Sequence, residues 1–155
     1  MKPQAERPQP GSDPLNELAG ACAPRQRIDR LHARAVLLAI GERVLGEDPA
    51  GAAELAARVV QITSGRAGDW QSAVRDEILM ASTEHVRSVD PRFLSRPDYD
   101  LHYTVQARAE LEARLLAAEV LGIEVPPSVL DRVAAADRLL APRLGSQPPL
   151  DDDAG

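Results

Sequence analysis

An all-α fold, a single-domain helical bundle of five to six helices with short loops, is predicted by three features of this sequence. The first is Ala35-Val36-Leu37-Leu38-Ala39-Ile40, six apolar residues in succession. A helical turn and a half with no polar side belongs inside a protein, and the run is far shorter than the ~20 residues a membrane crossing needs. The second is the series Trp70, Val74, Ile78, Ala81, His85, Val89, whose steps of 4-4-3-4-4 follow a helical period. The third is that no segment alternates apolar and polar residues as a half-buried strand does, and no repeat of fixed period occurs.

In chain order, residues 1–11 are polar, with Pro3, Pro8 and Pro10. They are expected to stay disordered because they bury too little apolar surface to offset their ordering entropy. Ser12-Asp13-Pro14 then has the form of a cap followed by a first-turn proline. It opens a short helix, Leu15 to Cys22, that stops before Pro24. The central helix is expected from about Arg25 to Leu45, with Ile28, Leu31, Ala35, Leu38 and Leu45 on its inward side and Gly46 as its C-terminal stop.

Asp48-Pro49 restarts the chain into a helix to Thr63, with Leu55, Val59 and Ile62 in register. After the break Ser64 to Gly68, Asp69 is read as the cap of a helix from Trp70 to Val89. Asp90-Pro91 stops it and starts a single turn through Phe93 and Leu94. Arg96-Pro97 holds the backbone extended, and Asp98 is the expected cap of the longest helix, Tyr99 to Leu121, ended by Gly122. Two offset stripes, Leu101-Val105-Ala109-Leu116-Val120 and Leu111-Leu115-Ala118-Leu121, give that helix a broad apolar face, with Arg108–Glu112 and Glu110–Arg114 as i,i+4 pairs on its wet side. Pro126-Pro127-Ser128 introduces a last helix to Leu140, with Val129, Val133, Ala136 and Leu140 inward. The domain thus spans 12–144, and 145–155, with its run Asp151-Asp152-Asp153, forms a disordered acidic tail.

The totals narrow the function. A chain of 155 residues fits one domain, which at this size needs no disulfide or structural metal to fold. Cys22 is the single cysteine, and with no secretory-type start it points to a reducing, cytoplasmic setting. A net charge of −6 disfavours general nucleic-acid binding, which depends on clustered Lys and Arg. Lys2 is the only lysine, and the Arg- and Ala-rich composition suggests a GC-rich bacterial genome.

Chemistry is concentrated, if anywhere, between residues 70 and 103. Trp70, His85, Tyr99, His102 and Tyr103 are the candidate ligand-binding residues, because consecutive antiparallel helices would bring them around one pocket. The competing reading makes them boundary residues with apolar bodies and polar tips. A metal site is conceivable from Glu77, Glu84, His85 and His102, with His32. The chain lacks the Glu-x-x-His spacing of helical carboxylate sites, so no metal or other cofactor is expected.

The pair 49–63 and 69–88 is readable as a helix-turn-helix. However, the second helix begins Asp69-Trp70-Gln71-Ser72 and carries more acid than base, which phosphate repels. No phosphate loop, nucleophile elbow or Cys-x-x-Cys pair occurs. The leading expectation is a non-enzymatic accessory or regulatory module acting by protein contact, self-association included. Its rivals are a small-molecule binder or enzyme around His85, His102 and Tyr103, and a DNA-binding regulator. No membrane association is expected.

Overall fold

The computed structural model describes residues 13–23 and 26–145, which are helical with no strand among them. The helices are α1 (Pro14–Ala21), α2 (Arg30–Leu45), α3 (Pro49–Ile62), α4 (Ala67–Ser88), α5 (Pro91–Leu94), α6 (Leu101–Leu121) and α7 (Pro127–Gly145), with a 3₁₀ turn at Ser64–Arg66. Seven helices stand where five to six were expected; the turn at α5 accounts for the difference. None is long and apolar enough to cross a membrane among the described residues. The expectations for the Pro-rich start and the acidic tail beyond Gly145 fall outside those residues.

The helix ends follow local chemistry. Asp13, Asp48 and Asp90 each accept a backbone N–H at the start of a helix whose first residue is proline. Three starts differ from expectation. α2 begins at Arg30, not near Arg25, because Asp29 accepts from the Leu31 and His32 amides while His32 Nδ1 accepts from the Asp29 amide, a reciprocal cap. α4 begins at Ala67, continuing the 3₁₀ turn, so Asp69 lies inside its first turn, paired with Arg66. α6 begins at Leu101, capped by Asp100 through the Tyr103 amide and not by Asp98.

α2 ends at Leu45 with Gly46 as its C-cap, as expected, and the left-handed residue that follows is Glu47, with φ 62°. One end differs. The last helix runs through Pro142 to Gly145. Gly122, with φ 73°, does close α6, and the buried Ile123 returns its amide to the Ala118 carbonyl.

The described residues form two compact units, and α4 and α6 each contribute one half to both. The first unit comprises residues up to 78 together with 110–125. Here α1 packs on α2 and α3, and the buried core includes Leu15, Leu18, Val36, Leu37, Ile40, Val59, Trp70, Val74, Ile78 and Leu111. Each such aliphatic side chain contributes roughly 1.5–3 kcal/mol on burial.

The face that α2 buries is Ala33, Val36, Leu37, Ile40 and Gly41. This corrects the expected stripe, since Leu31 and Leu45 are 57% and 53% exposed and Ala35 and Leu38 are half-buried. Gly41 explains the rotation: a Cβ there would lie 2.2 Å from the Ala113 carbonyl oxygen, so α2 and α6 meet backbone to backbone at that point. α3 is rotated similarly, burying Ala52, Ala56 and Val59 while Leu55 and Ile62 are only half-buried.

The second unit comprises 79–109 and the residues from 126 onward. Its core gathers Val89, Leu94, Ala136 and Leu140, with Val86, Tyr99 and Leu101 packed against them. Val129, Val133, Ala136 and Leu140 are the buried residues of α7, as their spacing predicts.

Gly41→Ala is expected to destabilise the protein by roughly 1–3 kcal/mol, as overpacking does, although alanine is the better helix former. Gly20→Ala, where a Cβ meets nothing within 4 Å, should leave stability unchanged or raise it. Urea denaturation of the two variants beside the parent checks the contrast.

Candidate functional site

The charged side chains that helix periodicity carries inward form two clusters, one in each unit. In the first unit Glu77 follows Val74 by three residues on α4 and is 2% exposed. Arg114, between Leu111 and Ala118 on α6, is 5% exposed and its Nε donates to Glu77 Oε2 at 2.8 Å. Arg30, at the start of α2, donates from Nη1 to Oε1 of the same carboxylate at 3.2 Å. One buried carboxylate thus ties three helices together, with both of its oxygens occupied. Such a group lowers the number of acceptable packings more surely than it adds stability, because desolvating the ions offsets much of their attraction.

In the second unit the centre is Asp137, between Val133 and Leu140 on α7. Arg108 of α6 grips it with Nε at 2.9 Å from Oδ1 and Nη2 at 2.9 Å from Oδ2. The planar fork matches the carboxylate. His85 of α4, 2% exposed, donates from Nε2 to Asp137 Oδ1 at 2.8 Å. Burial pushes the Asp137 carboxyl upward, but hydrogen bonds from Arg108 and His85 outweigh it and hold the group below its ordinary value of 3.8.

The opposite ring nitrogen, Nδ1 of His85, is buried with no hydrogen-bond partner among the described residues. A carboxylate orienting an imidazole is half of a nucleophile-activating set. No hydroxyl or thiol is bonded to the other nitrogen here, so the cluster as built orients a histidine without presenting it to a reacting group.

The five sequence-designated residues are placed as follows. Trp70 is 3% exposed in the core of the first unit. His85 is the buried partner of Asp137. The hydroxyl of Tyr99 donates to the Ser88 carbonyl at 2.9 Å and lies 2.7 Å from Thr104 Oγ1. The Arg143 guanidinium sits 5.5 Å from the centre of the Tyr99 ring and also donates to the Leu94 carbonyl. His102 is exposed and Tyr103 is 64% exposed, and neither is among the hydrogen-bond partners of His85. The helix turn that carries Thr104 and Arg108 inward carries residues 102 and 103 outward.

As members of these clusters, Asp137, Arg108, Arg114 and Arg30 do not stand out in the sequence, and Glu77 does so only as a conceivable metal ligand. Arg114 had been placed on the wet side of α6, and it is buried. The signal was present: each of Glu77, Arg114 and Asp137 stands three or four residues from an apolar neighbour on the inward stripe. Among the described residues no group of three or more His, Cys, Asp or Glu side chains is arranged to hold a metal ion. Arg66, the cation nearest the start of α4, donates to the Ala21 and Gln26 carbonyls at 3.0 and 2.9 Å and pairs with Asp69. Comparison with protein-family models, with curated proteins and with solved structures finds no match to this chain.

Two outcomes test the clusters. Glu77→Leu, which strands Arg114 in the core, should lower stability by about 3–5 kcal/mol, and the double change Glu77→Leu with Arg114→Met should recover most of it; chemical denaturation of the single and double variants decides. Asp137 titrates lower folded than unfolded, so its contribution is present above the unfolded value near 3.8 and is lost as pH falls through the folded value. Asp137→Asn should therefore flatten the acid limb of the stability–pH curve measured by thermal melts.

Proposed function

We propose that this protein works by contact with another protein chain, and that the exposed side of α6 is the surface it uses. The observation that carries this reading is the first apolar stripe of that helix. α6 already supplies buried residues on other sides, among them Thr104, Leu111, Arg114, Ala117 and Ala118. Val105 and Val120 are nevertheless 40% and 37% exposed, Ala109 is exposed, and Leu101 and Leu116 are half-buried.

Isolated apolar residues on a surface are ordinary, and Leu130 and Leu139, on opposite sides of α7, are of that kind. A row along one helix in steps of three, four or seven is different, because it is the pattern a second helix covers.

Incorporating a photo-crosslinking amino acid at position 105 or 120 in producing cells should trap a discrete adduct. The same residue at position 54, exposed on α3, should trap none, and Ala109→Asp on the stripe should abolish the product at 105. Absence of any adduct at both stripe positions would overturn the reading.

A further inference from the structure

We infer that α7 is a releasable strap: it lifts from the second unit as one piece while the first unit stays folded, and its release opens His85 to solvent. α7 buries Val129, Val133, Ala136 and Leu140, each between 3% and 7% exposed. The large side chains buried completely among the described residues, Leu37, Ile40, Ile78 and Leu111 among them, all come from other parts of the chain. The apolar core that Ala136 and Leu140 complete is small, consisting otherwise of Val89 and Leu94 with Val86, Tyr99 and Leu101 packed alongside.

Polar contacts supply much of what else holds the helix. Asp137 takes the Arg108 fork and the His85 Nε2 proton, yet its own side chain is 37% exposed. Arg143 donates to the Leu94 carbonyl and lies over the Tyr99 ring. Bonds of this kind are exchanged for bonds to water on opening, so each retains only a fraction of its gross strength.

The imidazole adds a bias toward release. Nδ1 of His85 is buried without a hydrogen-bond partner among the described residues, a desolvation cost carried by the closed form. Asp137 fixes the other edge of the ring, so departure of α7 leaves the imidazole free to turn and hydrate that nitrogen. The first unit is built more tightly. α2 and α6 meet there backbone to backbone at Gly41 and Ala113, and Glu77 has a cation on each oxygen. Stability distributed this unevenly gives openings of part of a fold below the global one.

Hydrogen exchange of the full chain at neutral pH, in urea below the unfolding transition, tests the strap. The amides of Val133 to Leu140 should share one opening and exchange at least a hundredfold faster than those of Val36 to Ile40. Reaction of His85 with diethyl pyrocarbonate should follow the α7 amides as urea is raised, whereas the exposed His102 reacts independently of urea. Gly41→Ala should speed exchange at 36–40 and leave both α7 exchange and His85 labelling at the parent rates. Asp137→Asn should raise those two rates together, at least tenfold; if that variant does not fold, the parent and Gly41→Ala decide. Equal acceleration of α2 and α7 by Gly41→Ala, or one common opening for both helices in the parent, overturns the inference. So does exchange of α7 residue by residue from its end while His85 stays unlabelled, which is fraying.

Discussion

A single buried carboxylate sets the terms for the first unit. Glu77 must be met by cations from two other helices, because an unpaired charge at its depth is far costlier than any misfit of aliphatic side chains. Leu, Val and Ala pack acceptably in many rotations, whereas a guanidinium reaching Oε2 from α6 and another reaching Oε1 from the start of α2 allow few. The rotation of α6 about its own axis follows from this. Once Arg114 faces Glu77, Leu111 and Ala118 turn inward with it and Val120 is left on the exposed side.

The second unit repeats the device with different chemistry. Asp137 takes the fork of Arg108 and the imidazole of His85, so one acid again fixes the registers of three helices. In both units these ion pairs hold the helix registers. The contact reading draws instead on the apolar row left exposed or half-buried along α6.

Much of the fold was legible because helix punctuation is local. Asp-Pro at 13–14, 48–49 and 90–91 and the glycine at 122 mark helix boundaries through groups within one turn of each other. The inward stripe of α4 was legible too, since Trp70, Val74, Ile78, His85 and Val89 just after its end are buried, with Ala81 half-buried. The faces of α2 and α3 were not. Both helices are apolar over so much of their circumference that hydrophobic period alone does not choose a side. The choice is made by small residues, Gly41 and Ala113 above all, whose meeting depends on residues far apart in the chain.

His102 and Tyr103 do not join His85 for a related reason: they lie two and one residues before the inward Thr104 and so point away from the line that Thr104 and Arg108 occupy. Ion pairs across sequence separations of 29 to 52 residues, such as Arg108–Asp137 and His85–Asp137, leave no mark on local pattern. Their only trace is a charged residue standing where periodicity calls for an aliphatic one.

The connection between α4 and α6 shows how a tether changes what a loop can tolerate. Residues 89–100 would ordinarily be a place where a chain accepts extra length. Here Tyr99 clasps the last carbonyl of α4, and Arg143 from α7 lies over the same ring while holding the Leu94 carbonyl. A tag or insertion placed in this span would pull on the closing turns of two helices at once. The exposed corner at Gly46 and Glu47, held only by its own short-range bonds, is the more forgiving place to lengthen the chain.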